Sequence, residues 1–437
     1  MTTNIELNSV FNGLKPSSTL YINETVNKLW QQGEQVFHMG FGESRFNVED
    51  HLQQDLGTHA DKKSYLPARG LPELTEAVAR YYSDKLEHEF SASQVIIGPG
   101  SKSLIYGLQM ILAADVFLPT PSWVSYGPQA TLLGNQHFYI PSTVASNYQL
   151  DIAQLDKLVQ ASTNPNKLLV INSPNNPTGQ MLNTDFLQQL ADYCRANNVL
   201  VLSDEIYFQV SSGAVDHVSI AKFYPEGTFV LGGLSKHFSI GGWRVGVALL
   251  PDSEFGEELM TKMVTFASET WSGVSAPIQY AAIRAYSLEP EIEKYVADCR
   301  AIHGIRSRYI REALVDLGIH CTRAEGAFYI TVNFDGFAEG LKTKGVSSSP
   351  ELAAYLLDQY RIASLPGADF GIPAQTLSLR LSTSYLDMEN SDDSQRIFDL
   401  YKSGVSSKEF MSSDHHPVIH QALEAFTDCV NSLTNKV

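Results

Sequence analysis

The middle of the chain alternates short runs of β-branched and other apolar residues with segments whose apolar residues recur at helical spacing. Phe186, Leu187 and Leu190 recur in this way between two such runs, which predicts a β-α-β unit. The pattern therefore predicts parallel strands joined by crossover helices, and an α/β fold. The clearest predicted strands are 94–97, 115–118, 167–172, 199–203 and 228–231.

The pattern also divides the chain into two lobes of unequal size. Residues 55–290 contain the alternating part and are predicted to form the large lobe. Residues 1–54 and 291–437 are predicted to form a smaller, discontinuous lobe, because a long helical stretch opens the C-terminal part. The tail is expected to close with a docked helix over 418–433.

The residues before that last helix carry three potential metal ligands, His415, His416 and His420. Pro417 interrupts their helical spacing, so the sequence favours a solvated loop over a metal centre. The cysteines lie far apart without a C-x-x-C pair and are expected to be reduced and structural. They are Cys194, Cys299, Cys321 and Cys429. No metal site is predicted.

Composition narrows the class of protein. The 437 residues are 43% hydrophobic and 18% charged, as in soluble globular proteins. No run approaches about 18 apolar residues, and the first residues lack the features of a secretory signal, so a cytoplasmic location away from membranes is expected. The formal charge of -17 disfavours nucleic acid and anionic membranes as partners.

Lys236 is the residue with the most informative setting. It follows an apolar strand in T-F-V-L-G-G-L-S-K-H-F-S-I-G-G-W-R-V-G, residues 228–246, and Arg244 comes eight residues later. A lysine placed in this way can hold a carbonyl as a Schiff base while the arginine binds a phosphate, which suggests pyridoxal phosphate. The alternative is an ordinary surface lysine after a strand.

Other segments that follow strands carry polar residues as well. S-P-N-N-P-T-G at 173–179 is a tight turn that presents Asn176, and S-D-E-I-Y at 203–207 places Asp204 directly after an apolar strand. A buried Asp204 requires a partner, for which a pyridinium nitrogen and a structural arginine are equally suitable. G-P-G-S-K at 98–102 opens a helix predicted over 103–113, so its amides and Ser101 form an anion cradle.

Together, these three motifs and the lysine segment resemble the class I and II aminotransferases of pyridoxal-phosphate fold type I. The resemblance runs from about Gly40 to Tyr385 and also includes Y-L-P-A-R-G-L-P-E-L-T-E-A-V at 65–78, P-T-P-S-W-V-S-Y at 119–126 and S-L-R-L-S at 378–382. It implies a large lobe with a mostly parallel seven-stranded sheet covered by helices, and a smaller α+β lobe made from the two terminal segments.

The resemblance implies roles for the residues around the cofactor ring. Lys236 would form the Schiff base and then carry the proton between the substrate Cα and the cofactor. Asp204 would keep the pyridine nitrogen protonated, Tyr207 and Asn176 would bind the ring 3-oxygen, and Trp123 would stack on the ring.

The phosphate would be bound by Ser101, the amide of Lys102 and Arg244, with Tyr65 reaching it from a second subunit of a homodimer. One position departs from the family. Many members carry a phosphate-binding serine three residues before the lysine, where this chain has Gly233. Ser235, next to the lysine, is included among the cofactor-binding candidates.

The substrate α-carboxylate would be bound by Arg380, because a guanidinium and a carboxylate match as a two-bond fork. Gly40 would close over the substrate and Asn176 would contact it. Residues 263–275 lack the arginine that dicarboxylate-specific members bring across the dimer, which disfavours a dedicated aspartate enzyme, although Arg45 or Arg69 are alternatives. Three aromatic residues favour an apolar or aromatic substrate: Phe41, Trp271 and Phe370.

The leading hypothesis is an aminotransferase that moves an amino group from an L-amino acid to a 2-oxo acid in a ping-pong cycle. A lyase or cyclising synthase that eliminates or replaces a β or γ group is the alternative, because it shares all of these residues. A DNA-binding regulator is disfavoured, because the cofactor motifs begin too early for a basic DNA-binding head.

Overall fold

The computed structural model describes residues 6–213 and 216–434. The strands are β1 Phe37–His38, β2 Val95–Pro99, β3 Asp115–Pro119, β4 His137–Ile140, β5 Lys167–Asn172, β6 Val199–Asp204, β7 Thr228–Gly233, β8 Val245–Leu249, β9 His320–Cys321, β10 Tyr329–Asn333, β11 Ile362–Ala363, β12 Leu365–Pro366 and β13 Ser378–Ser382.

The helices surround these strands. They are α1 Ser18–Gln31, α2 Asp50–Thr58, α3 Pro72–Leu86, α4 Ser101–Leu112, α5 Tyr126–Leu133, α6 Ile152–Ala161, α7 Thr184–Ala196, α8 Glu254–Thr270, α9 Ala276–Ala285, α10 Pro290–Asp316, α11 Ala338–Thr343, α12 Ser349–Tyr360, α13 Ser391–Lys402, α14 Ser407–Phe410 and α15 Pro417–Thr434. None of the helices in the described ranges is long and apolar enough to cross a membrane.

The large sheet has seven strands in the order β2-β8-β7-β6-β5-β3-β4. Only β8 runs antiparallel to its neighbours, so the predicted mostly parallel sheet is confirmed. Its central strands are almost wholly apolar because helices cover both faces of the sheet. The carboxyl ends of β5, β6 and β7 open on one edge, where a doubly wound sheet binds its ligands.

The second sheet is antiparallel and smaller, with four strands in the order β12-β13-β10-β9. The two-residue strand β1 pairs in parallel with β11, so the N-terminal segment joins the C-terminal part of the chain. One apolar core unites this sheet with the helices α10, α12 and α15. The predicted α+β lobe made from both terminal segments is therefore present.

The structure corrects one expectation about the tail. Pro417 is the first residue of α15 and not an interruption, because a helix tolerates proline at its first position. His416 is fully buried, and its Nδ1 lies 2.8 Å from the carbonyl oxygen of Phe410. The predicted solvated loop around this histidine was wrong. The four cysteines are buried and unpaired.

Candidate active site

A cavity of about 290 Å³ lies where the carboxyl ends of the central strands face the small sheet. It brings together side chains that are far apart in sequence, from the first helix to β13. Most of the residues singled out by sequence line it. They are Ser101, Lys102, Trp123, Asn176, Asp204, Tyr207, Ser235, Lys236, Arg244 and Arg380.

Lys236 reaches the centre of this cavity. Its Nζ donates to the carbonyl oxygen of Gly42 at 3.1 Å and lies 5.5 Å from the centre of the Tyr207 ring. The strand before it ends in Gly233, where a Cβ would lie only 2.5 Å from the carbonyl oxygen of Val245. The close approach of β7 and β8 therefore excludes a serine at this position.

Asp204 ends β6 and is buried beneath the cavity. Its Oδ2 accepts a hydrogen bond from the Tyr126 hydroxyl at 2.6 Å, and its Oδ1 accepts one from the Ile206 amide at 3.2 Å. Burial raises the pKa of Asp204 to about 6, although these hydrogen bonds and the charge of Lys236 favour the ionised form. Both hydrogen-bond partners of the Asp204 carboxylate are neutral groups, so a bound cation could still pair with its charge.

Asn176 is held from both sides of the cavity. Asn172, at the end of β5, donates through Nδ2 to the carbonyl oxygen of Asp204 at 2.7 Å and accepts from the Asn176 amide at 2.7 Å. The Oδ1 of Asn176 accepts from Nη1 of Arg380 at 3.3 Å. The strand end thus fixes the Asn176 backbone, and the small sheet fixes its side chain.

The rest of this turn, residues 177–181, is hydrogen-bonded to the small sheet. The carbonyl oxygen of Gly179 accepts from the amides of Glu325 and Gly326 at 3.0 and 2.8 Å. The Glu325 carboxylate accepts from the Met181 amide at 2.9 Å. Two threonine hydroxyls, those of Thr322 and Thr331, donate to the carbonyl oxygens of Thr178 and Pro177 at 2.6 and 3.1 Å.

Tyr207 faces the lysine from the same edge of the large sheet. Its hydroxyl lies 3.0 Å from that of Tyr329, which donates to the carbonyl oxygen of Gly42 at 3.3 Å. Burial, with the neighbouring Tyr329, raises the pKa of Tyr207 well above its usual value, so this hydroxyl stays protonated. A Cβ on Gly42 would lie 1.8 Å from the Tyr329 hydroxyl, so only glycine fits there.

Arg380 is a fully buried cation on β13. Nη1 donates to Asn176 and Nη2 donates to the carbonyl oxygen of Gly40, while the guanidinium carbon lies 4.7 and 5.3 Å from the ring centres of Tyr329 and Phe370. Nε is buried without a hydrogen-bond partner among the described residues. Its hydrogen-bond acceptors are neutral, and Asp369 is a carboxylate near enough to favour its charged form without being one of those acceptors, so the guanidinium fits an anionic ligand.

The opposite end of the cavity is a cradle of backbone amides. Gly100 has a φ of 82° and directly precedes Ser101, the first residue of α4. Arg244, with a φ of 58°, donates through Nη1 to the carbonyl oxygen of Gly241 at 2.9 Å. A Cβ on Gly246 would lie 2.2 Å from the Ser101 nitrogen. A helix N-terminus beside an exposed guanidinium suits a phosphate.

Comparison with known proteins decides the family. The model of the family "Aminotransferase class I and II" matches residues 35–393. The chain belongs to the class I and II aminotransferases. The aspartate aminotransferase of Geobacillus stearothermophilus is 34% identical over 369 residues, which cover 82% of this chain and 90% of that protein. That of Bacillus subtilis is 32% identical over 380 residues, covering 85% and 93%.

Solved structures of aminotransferases share the fold. The aspartate aminotransferase from Rhizobium meliloti aligns with a TM-score of 0.81 at 21% identity, over 98% of this chain and all of that one. The enzyme from Thermus thermophilus with maleate has a TM-score of 0.81 at 24% identity, over 97% and 99%. By its family match and its two relatives above 30% identity, the chain is a pyridoxal-phosphate-dependent aminotransferase, and these findings do not favour the lyase alternative.

Some predicted residues lie outside the aminotransferase cavity. Arg45 donates to the carbonyl oxygens of Met388 and Glu389 at 3.2 and 2.9 Å, and Nε of Arg69 donates to that of Val95 at 2.9 Å. Neither guanidinium is among the residues that line the cavity, and the alternative that one of them binds a substrate carboxylate stays a prediction.

Of the other candidate residues, some line the cavity and others lie away from it. Phe41 lines the cavity, and Phe370 lies against Arg380, whereas Trp271 packs on Phe266 with ring centres 5.4 Å apart. Gly40 contributes its carbonyl oxygen and not a lining side chain. Tyr65 is 94% exposed.

Sequence reasoning missed four residues that shape the aminotransferase cavity. Tyr126 is the last residue of the motif at 119–126, and Asn172 directly precedes the turn at 173–179, so proximity to a motif was a usable signal. Gly42 and Tyr329 gave no such signal, because their roles depend on contacts across nearly 300 residues.

Proposed function

We propose that this aminotransferase binds pyridoxal phosphate through Lys236 and transfers an amino group from an L-amino acid to a 2-oxo acid by a ping-pong mechanism. One observation carries the assignment: the Lys236 amine lies in one cavity with a buried carboxylate, Asp204, and a buried guanidinium, Arg380. The bound cofactor supplies an electron sink that acidifies the substrate Cα–H bond.

The residues of the cavity fit the cofactor at both ends. Ser101, the Lys102 amide and Arg244 would bind the phosphate, because the Gly100 turn and the start of α4 form a cradle that a Cβ on Gly246 would fill. Ser235 lines the same region. At the other end, Asp204 would hold a proton on the pyridine nitrogen, and that cation would lower its raised pKa again.

The ring would be oriented by three further side chains. Trp123 would stack on its face, while Asn176 and the protonated Tyr207 hydroxyl would bind its 3-oxygen. The network from Tyr207 through Tyr329 to Gly42 fixes this hydroxyl close to the lysine. Lys236 Nζ, which donates to the Gly42 carbonyl oxygen, would carry the proton between the substrate Cα and the cofactor.

Arg380 would bind the substrate α-carboxylate with the two donors that now contact Asn176 and the Gly40 carbonyl. A second cation, the Lys102 ammonium, reaches the cavity 4.9 Å from the centre of the Trp123 ring. Partial burial and the nearby Arg244 and Lys236 lower its pKa, which an anionic ligand would reverse. We propose acidic substrates such as aspartate, the substrate in the names of the two relatives.

The remaining assignments concern assembly. Tyr65 would bind the phosphate in the partner's site of a homodimer, since its side chain is almost fully exposed in its own chain.

The large domain would span residues 55–290, with 1–54 and 291–437 forming the small domain, which agrees with the pairing of β1 and β11. Four buried thiols suit a cytoplasmic, reducing location.

The test is a visible absorption titration of the purified protein with single amino acids and no 2-oxo acid. We expect a yellow cofactor band that aspartate or glutamate bleaches, with little response to phenylalanine. Lys102→Gln should weaken the response to acidic donors about tenfold, by loss of one charge-assisted contact, whereas exposed Lys157→Gln serves as the control. A band that no amino acid bleaches would refute the proposal.

A further inference from the structure

The last two helices, α14 and α15, lie beyond residue 393, where the match to the family model ends. Helix α15 is nevertheless part of the core, since Ile419, Ala422 and Phe426 on one of its faces are fully buried against the small sheet's helices. Because α15 is packed into the core, the hydrogen bonds that it forms with other segments hold those segments in place.

One attachment is a buried carboxylate. Asp387 follows β13, and its Oδ1 and Oδ2 accept hydrogen bonds from the amides of Val418 and Ile419 at 2.8 and 3.0 Å. These amides belong to the first turn of α15, where free donors and the helix dipole favour an anion. The buried guanidinium of Arg306 donates to the Ser384 carbonyl at 3.2 Å, which fixes the same segment from the other side.

The segment 383–389 in turn supports the wall of the cavity. The ring centre of Tyr385 lies 4.8 Å from that of His38 and 4.6 Å from the Arg45 guanidinium. Arg45 itself donates to the Met388 carbonyl. His38 comes two residues before Gly40, the residue whose carbonyl oxygen accepts from Arg380.

A second attachment reaches the same wall from the N-terminal side. Gln421, on α15, accepts a hydrogen bond at 2.7 Å from the exposed side chain of Gln35, two residues before β1 and the segment that contains Gly40. The C-terminal helix is therefore joined to the segment that leads to Gly40 and to the segment that follows the strand of Arg380.

We infer that Asp387 is a positioning residue, which couples the C-terminal helix to segment 383–389 and so holds Gly40 and Arg380 in register for a substrate carboxylate. The inference rests on the proposed role of Arg380 in binding that carboxylate. A purely structural Asp387 would affect stability alone.

The experiment compares Asp387→Asn and Asp387→Gly in the full-length holoenzyme. Both residues tolerate the φ of 60° at this position, so backbone strain is not introduced. Asn keeps one acceptor oxygen and Gly keeps none. We expect KM for the amino acid to rise about threefold and about tenfold, respectively, with kcat and cofactor affinity within about twofold, because a shifted anchor weakens binding before chemistry.

The control is Glu424→Gln, an exposed position on the same helix, which should leave KM unchanged. Amide hydrogen exchange of residues 36–42 is measured in parallel and should accelerate in Asp387→Gly, while exchange at 98–102 should not. Unchanged exchange at 36–42 overturns the inference whatever the activity. A lower melting temperature with unchanged KM also overturns it. Inactivity of the unsubstituted holoenzyme would instead refute the proposed function, and exchange would still test the coupling.

Discussion

The two walls of the cavity are built in different ways. On the strand-end wall, the residues at the ends of β5 and β6 and just after β7 are neighbours because the strands are: Asn172 pairs in register with Asp204. On the small-sheet wall, Gly40 and Arg380 meet although 340 positions separate them. The first wall is set by strand register, whereas the second is set by packing of distant segments.

The charges on these walls differ as well. The carboxylate of Asp204 has two hydrogen-bond donors, and burial raises its pKa into a range where it takes up a proton. The guanidinium of Arg380 has neutral hydrogen-bond acceptors and no partner for Nε among the described residues, and arginine remains charged under the same conditions. In the absence of a ligand, the strand-end carboxylate can therefore take up a proton below about pH 6, whereas the small-sheet guanidinium keeps its charge.

The largest effect should come from the strand-end wall. Lys236→Ala should reduce turnover by about 10⁴-fold or more, because the variant lacks both the nucleophile and the proton carrier. Cofactor should still bind through the phosphate and ring contacts, as measured by absorbance after dialysis. Exposed Lys222→Ala is the control, and near-normal turnover by Lys236→Ala would remove the central assignment.

Arg380→Lys tests the small-sheet wall. We expect kcat/KM to fall about 10² to 10³-fold, because an ammonium cannot form the two-bond fork and leaves the buried acceptors unsatisfied. Cofactor affinity should change less than about twofold, since the walls act separately. A variant that loses the cofactor as readily as the substrate would contradict the division into two walls.

Asp204→Asn tests the claim that the strand-end carboxylate neutralises itself. The folded pKa of about 6 exceeds the ordinary value of 3.8, so ionisation favours the unfolded state. The cofactor-free protein should lose about 2 kcal/mol of unfolding free energy between pH 4 and pH 7 through this group. Denaturant titrations should find this loss in the unsubstituted protein and not in Asp204→Asn; parallel pH profiles would exclude it.

The smallest effect concerns the phosphate cradle. Gly246→Ala introduces a Cβ 2.2 Å from the Ser101 nitrogen and should weaken cofactor affinity about tenfold by displacing the start of α4. KM for the amino acid, measured with saturating cofactor, should not change. Gly242 has open space around it, so Gly242→Ala is the matched control. Equal effects of the two substitutions would rule out the steric explanation.

The difference between the two walls also explains which cavity residues could be predicted from the sequence. The strands before Asn176, Asp204 and Lys236 were predicted within two residues, and those three side chains line the cavity, because apolar runs and the motifs that follow them are local. Gly42 and Tyr329 were not found, since their contacts with each other and with the other cavity residues join segments far apart in sequence. The buried position of His416 was missed because local spacing does not reveal which helix covers a residue.

The turn at 177–181 belongs to the large sheet by chain order and to the small sheet by its hydrogen bonds. Asn172 keeps its beginning attached to the strand ends, so neither sheet can move away from the other along this line. If the two lobes rotate relative to each other, this turn would be the axis of the rotation, because it is attached to both. Residues far from the turn would then move the furthest. The lever arms of such a rotation would extend to α1 and to Lys102, which also line the cavity.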